Sequence, residues 1–167
     1  MKSLLHLVCL TTTLCFSALA TGQSQFALNQ SFAALYEQEL GSTQKCLSSS
    51  ANRYAVCSPA LRGDGNAPFI LFQQPDSPIV VLTHGLSDSP FFVSAIADEL
   101  YDSGYTVIAP LLPGHGLKDA DAAMEDEQLA ERWQAHLAEV VELALQSTDK
   151  VVLGGFSTGG ALSVDYY

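Results

Sequence analysis

From Ile79 onward, short unbroken apolar runs alternate with longer stretches in which apolar residues recur every three or four positions. Ile79-Val80-Val81-Leu82-Thr83 is β-branched and aliphatic almost throughout, the composition of a strand buried on both faces of a parallel sheet. Ser89-Pro90 follows, a capping residue and a proline suited to the first helical position. Phe92, Ile96 and Leu100 then recur beside Val93 and Ala97, with Gly104 placed to end the helix. Thr106 to Ala109 repeats the strand pattern and stops at Pro110. Beyond a loop with an acidic stretch, Asp119 to Glu127, the residues Leu129, Trp133, Leu137, Val140 and Ala144 mark an amphipathic helix. Val151-Val152-Leu153 is a third buried strand, and Gly155 opens a sharp turn into a last helix. This alternation predicts an α/β fold with a doubly wound, mostly parallel sheet.

The first third of the chain has no such rhythm. Residues 21–50 are polar and rich in Ser and Gln, with one helix expected from Phe32 to Leu40 and stopped by Gly41. Two short extended runs between Tyr54 and Phe72 flank Arg62-Gly63-Asp64-Gly65-Asn66 and predict a hairpin. At the very start, Lys2 precedes the uncharged apolar run Leu4 to Phe16, and Ala18-Leu19-Ala20 supplies small residues for a signal peptidase. The expected organisation is a signal peptide over 1–20, a lead-in over 21–67 and the α/β domain over 68–167. Cleavage after Ala20 implies a secreted or periplasmic protein with no stable membrane insertion afterwards.

Export changes how the cysteines read. Cys9 and Cys15 leave with the signal, so Cys46 and Cys57 are expected to form a disulfide in an oxidising compartment. With no histidine nearby, this pair does not suggest a metal, and no cofactor is expected. The net charge of −11 excludes nucleic acid as a partner, because no cluster of Lys and Arg exists to neutralise phosphates.

Gly155-Phe156-Ser157-Thr158-Gly159 fits G-x-S-x-G, a pattern that is unspecific until its position is considered. Here it lies between a buried strand and a helix, as a nucleophile elbow requires. Such a turn lifts the middle side chain above the sheet, and glycines at both flanks let strand and helix approach closely. Ser157 is therefore the candidate nucleophile. The Thr158 N–H, at the positive end of the helix dipole, is a candidate oxyanion donor. Phe156 stands where a dinucleotide fingerprint needs its second glycine, and no lysine follows as in a P-loop. Thr83-His84-Gly85-Leu86, directly after the first buried strand, places Leu86 as the second N–H donor. His84 itself reads as a hydrogen-bonded structural side chain.

Taken together, Leu82-Thr83-His84-Gly85-Leu86, Pro113-Gly114-His115-Gly116 and Gly155-Phe156-Ser157-Thr158-Gly159-Gly160 resemble the α/β-hydrolase superfamily. The resemblance covers about residues 68–167. Within that superfamily it is to the branch of carboxylesterases, monoacylglycerol lipases and serine-aminopeptidase-like hydrolases. It implies a serine hydrolase that acts on a small-molecule ester or acyl substrate through an acyl-enzyme, with amide or thioester variants of the same chemistry. A non-catalytic binding module on the same fold is the alternative. In that branch the loop holding His115 lines a wall near the acyl site, so His115 is a candidate wall residue. The family's acid and base histidine follow the nucleophile, whereas Asp165 is the one acid after Ser157 and no histidine comes after it. Asp165 is expected on the helix leading away from the elbow, and His136 on a solvent-flanked helix. The expectation is an N-terminal part of a hydrolase domain, inactive as this chain alone.

Overall fold

The computed structural model of the protein describes residues 25–167. The signal-peptide expectation lies outside the described residues. Helix α1 (25–34) gives way at a turn over residues 35–36 to the short α2 (Glu37–Leu40). The single helix expected over Phe32–Leu40 is thus two, starting earlier and broken where the Tyr36 N–H closes a tight turn on the Ala33 carbonyl at 3.1 Å.

Strand β1 (Gln44–Lys45) pairs antiparallel with β2 (Arg53–Cys57), which pairs antiparallel with β3 (Phe69–Leu71). The expected hairpin is present as β2 and β3, with Arg53 opposite Leu71 and Ala55 opposite Phe69. Its connection is longer than a tight turn and contains a 3-10 turn at Asp64–Asn66.

The three apolar runs form β4 (Ile79–Thr83), β5 (Thr106–Ala109) and β6 (Val151–Gly155). All three pair in parallel, with β4 between β5 and β6. The sheet order is β1-β2-β3-β5-β4-β6, and β3 joins β5 antiparallel, so the sheet as a whole is mixed. β4 and β5 are wholly buried because helices cover both faces, but β6, expected to be a third buried strand, has no buried residue because it lies at the end of the sheet.

Helix α3 (Pro90–Asp102) carries the chain from β4 to β5 and packs on β3, β4 and β5. Ser89 caps it by position alone: its hydroxyl donates to Asn66 Oδ1 at 2.9 Å, tying α3 to the 3-10 turn. The acidic stretch holds one helical turn, α4 (Asp121–Met124). Helix α5 (Leu129–Leu145) then leads from β5 to β6, and α6 (Thr158–Tyr166) follows β6. The crossovers β4–α3–β5 and β5–α5–β6 run in opposite directions along the sheet. With right-handed connections this puts α3 on one face and α5 on the other. α6 packs beside α5, so the chain leaves β4 and β6 toward opposite faces and a crevice opens between their carboxyl ends.

The core is continuous from Leu28, Phe32, Tyr36 and Leu40 of the first helices to Val140 and Ala144 of α5. A disulfide joins Cys46 to Cys57 with Cα atoms 5.0 Å apart, fastening β1 to β2.

Candidate active site

Ser157 caps α6 with φ 51° and ψ −113°, a backbone conformation that non-glycine residues rarely adopt. Strain of this kind amounts to about 1–3 kcal/mol and persists only where the surroundings fix it. Two glycines show how they do. A Cβ on Gly155 would lie 2.6 Å from the Gly159 carbonyl oxygen and 2.7 Å from the Gly160 nitrogen. A Cβ on Gly159 would collide with the Thr83 carbonyl and lie 2.6 Å from that of His84. Strand β6, helix α6 and the end of β4 therefore touch backbone to backbone. Ser157 is lifted out of this contact and its side chain is exposed.

The chain after β4 closes on the same place. The Phe156 N–H donates to the Thr83 carbonyl at 3.0 Å, and the Cβ position of Gly85 lies 3.1 Å from the Phe156 ring. Ser87 has φ 64°, and the Asp88 N–H donates back to the Gly85 carbonyl at 3.2 Å, so residues 85–88 form a tight turn beside the elbow. Leu86 and Phe156 are half exposed or more, at 53% and 64%. Among the described residues, neither the Leu86 nor the Thr158 N–H meets a hydrogen-bond acceptor. An exposed hydroxyl, two free amide donors and a helix N-terminus thus lie on two turns that touch through Gly85 and Phe156.

His84 is fully buried behind this turn. Its Nε2 accepts from the Leu112 N–H at 3.1 Å, so the proton is on Nδ1, which donates to the Gly85 carbonyl at 2.8 Å. Burial pulls its pKa down to about 4, with the Gly85 contact opposing. The ring is neutral and fully engaged.

His115 is also buried, at 1% exposure, with its ring edge-on to His84 and tilted against Trp133. Its Nδ1 donates to the Pro113 carbonyl at 3.0 Å, and burial lowers its pKa. It orders its own loop from beneath the surface; only its Nε2, buried without a partner, remains uncommitted. His136, expected on a solvent-flanked face, is instead buried against Tyr36, whose hydroxyl lies 3.3 Å from Nε2. Burial lowers its pKa to about 4. Asp165 is exposed on α6 and accepts from Gln134 at 2.7 Å. None of these groups is placed as a base for Ser157, whose hydroxyl has no hydrogen-bond partner among the described residues.

The sequence pattern does not reveal the residues that hold the Pro113–Gly116 loop. The Leu111 N–H donates to the Tyr36 hydroxyl at 3.2 Å, the Gly114 N–H to Glu39 at 2.8 Å, and the Trp133 indole to the Pro113 carbonyl at 2.9 Å. Glu39 is itself paired with Arg132, which also binds Asp126 at 2.7 Å. A cavity of about 470 Å³ lies behind this loop, between Glu39, Arg132 and Glu139, away from Ser157. Among the described residues no cluster could hold a metal ion, and no helix is long and apolar enough to cross a membrane.

Comparison with known proteins agrees with the geometry. Residues 80–167 match the Alpha/beta hydrolase family. Among solved structures, one reported with the metagenome-derived lipolytic enzymes LipS and LipT is 30% identical, with a TM-score of 0.49. That match covers 57% of this chain and 38% of the other, so the chain spans well under half of that enzyme's length. No curated protein matches the chain significantly. A match over more than half the chain, containing the Leu86 turn, the Pro113–Gly116 loop and the Ser157 elbow, makes this protein a member of the α/β-hydrolase family.

Proposed function

We propose that the intact protein is an exported serine hydrolase that cleaves carboxylic esters through an acyl-enzyme on Ser157. The observation that carries this reading is the backbone of Ser157. A strained residue, exposed between two free amide donors, has no evident use in packing. In the proposed reaction Ser157 Oγ attacks the ester carbonyl while a base takes its proton. The oxyanion of the tetrahedral intermediate is held by the Leu86 and Thr158 N–H groups. Collapse expels the alcohol, which receives the proton, and water then hydrolyses the acyl-enzyme through the same oxyanion site. The base is a residue other than His84, His115 and His136, each of which is buried and engaged elsewhere. Amide and thioester substrates belong to the same mechanism. The Cys46–Cys57 disulfide supports the export reading, since such bonds persist in oxidising compartments.

A second reading is a binding module without catalysis, since folds of this kind host several roles. A fluorophosphonate probe separates the two. Labelling of the intact protein at Ser157, lost in Ser157→Ala, is expected for the hydrolase. A fully folded intact protein that takes up no probe would be a binding module.

A further inference from the structure

We propose that Asp88, together with the exposed ring of Phe156, binds an ammonium group, so that the ester this site prefers is a cationic one. The inference rests on the hydrolase reading and names the substrate class of that site. It starts from where the carboxylate lies. A Cβ on Gly85 would stand 2.9 Å from Asp88 Oδ2, 3.1 Å from the Phe156 ring and 3.3 Å from the Phe156 carbonyl oxygen, whose peptide leads into Ser157. A negative charge, an aromatic ring and the start of the elbow therefore crowd round one point on the Leu86 turn.

The carboxylate has no counterion there. Among the described residues Asp88 is half-buried, bonds only through its backbone N–H, and takes no part in the ion pairs of Arg53 and Arg132. The N-terminus of α3 follows directly and favours a negative charge, which explains why the fold tolerates it. The reaction is another matter. Ester cleavage builds negative charge at the Leu86 and Thr158 amides, beside a carboxylate of the same sign, and a neutral ester meets that repulsion in full. A positive charge on the substrate turns the same carboxylate into an attraction. The Phe156 ring, 64% exposed, adds the negative face of its quadrupole, and a carboxylate beside an aromatic face suits an ammonium group.

A second acceptor in this part of the molecule also lacks a donor. His115 donates from Nδ1 to Pro113, so Nε2 carries a lone pair, and that atom is buried without a partner. Burial lowers the pKa of this ring and the Asp88 charge is among the influences that raise it, so the two groups feel one another. Surroundings rich in acceptors and poor in positive charge favour a cation over a neutral or anionic group. At longer range the net charge of −11 draws cations toward the molecule.

The test uses the intact protein and two pairs of esters. Each pair sets a trimethylammonium group against its uncharged carbon isostere, on the alcohol in one pair and on the acyl chain in the other. In at least one pair kcat/KM should favour the cation, and that pair tells which side of the ester carries the charge. Asp88→Asn, which keeps the shape, should lower the cationic-to-neutral ratio about 10-fold, and Phe156→Leu, which keeps the bulk, about 3-fold. A damaged fold moves both members of a pair alike and leaves the ratio alone. A ratio that Asp88→Asn leaves unchanged in both pairs overturns the proposal. If the protein cleaves no ester, the hydrolase reading falls and binding decides instead. Tetramethylammonium, followed by NMR, should then shift the Gly85 and Phe156 amide signals in the unsubstituted protein and not in Asp88→Asn. Shifts that are absent, or equal in the two proteins, defeat the ammonium site as well.

Discussion

Gly155 and Gly159 give the elbow its shape, and the effect of altering either can be argued from atoms. Gly159→Ala drives a methyl group into the backbone of β4, which has no free space to yield. Overpacking of this kind should destabilise by at least about 2 kcal/mol. Gly154→Ala, whose methyl would meet only the Leu82 side chain at 3.8 Å, should leave the melting temperature nearly unchanged. Thermal unfolding of the two variants tests the contrast. The buried histidines make a second prediction. His84 and His136 titrate near 4 in the fold against 6.5 for a free ring, so as pH falls the unfolded chain takes up protons first. Their contribution is complete above about pH 6.5 and drains away as pH falls toward 4. It amounts to on the order of 3 kcal/mol per ring. Urea midpoints should therefore drop across that window, and His136→Gln, which keeps an acceptor for the Tyr36 hydroxyl, should flatten the drop. Ser157, the glycines and Leu86 are legible in the sequence because the elbow is a local motif. His84 was also legible as a hydrogen-bonded structural side chain, but its Leu112 partner and the burial of His136 against Tyr36 were not, since those partners lie at least 28 positions away.

At the scale of elements, α1 and α2 do more than precede the sheet. Tyr36 and Glu39 satisfy two backbone amides of a loop whose residues 110–116 are all buried. Without those acceptors the loop would carry unpaired N–H groups in the interior, each worth about 1–3 kcal/mol. Tyr36→Phe keeps the ring packed among Phe32 and His136 and removes only the oxygen. It should destabilise by that amount and speed hydrogen exchange at Leu111 above all. Exchange measured amide by amide would show whether the effect is local. The disulfide is the matching constraint on the other side of the lead-in, closing a loop between residues 11 apart. Reduction, or Cys46→Ala with Cys57→Ala, should lower stability by about 2–3 kcal/mol, read as a shift of the urea midpoint with and without reductant. β4, β5 and the long helices were readable because a fully apolar run or a 3.6-residue period reports burial directly, whereas β6 carries the same apolar run and is not buried, because it lies at the end of the sheet. β1 was not, because Gln44 and Lys45 are both exposed and their pairing comes from the neighbouring strand. The break at residues 35–36 was hidden as well, because Leu35 and Tyr36 continue the apolar spacing through it.

For the molecule as a whole, the sheet ends at β6, whose outer edge pairs with no strand among the described residues. Val152 is 52% exposed there and Val164 of the adjoining α6 is 79% exposed, with Tyr166 and Tyr167 beside them. A cavity of about 630 Å³ lined by Val151, Leu153 and Val164 opens along the same border. An apolar strand with free backbone donors and acceptors is a template for pairing with other chains. The net charge of −11 opposes such contact at long range, but about 10 Å of screening at 0.1 M salt removes most of that protection. The 167-residue chain should therefore associate more strongly as salt rises, the reverse of an assembly held by ion pairs. Val152→Lys puts a charge on the free edge without touching the core and should suppress the association at every salt concentration. Light scattering across a salt series decides the matter. Association that weakens with salt, or that Val152→Lys leaves unchanged, would mean that the chains meet through a surface other than the β6 edge.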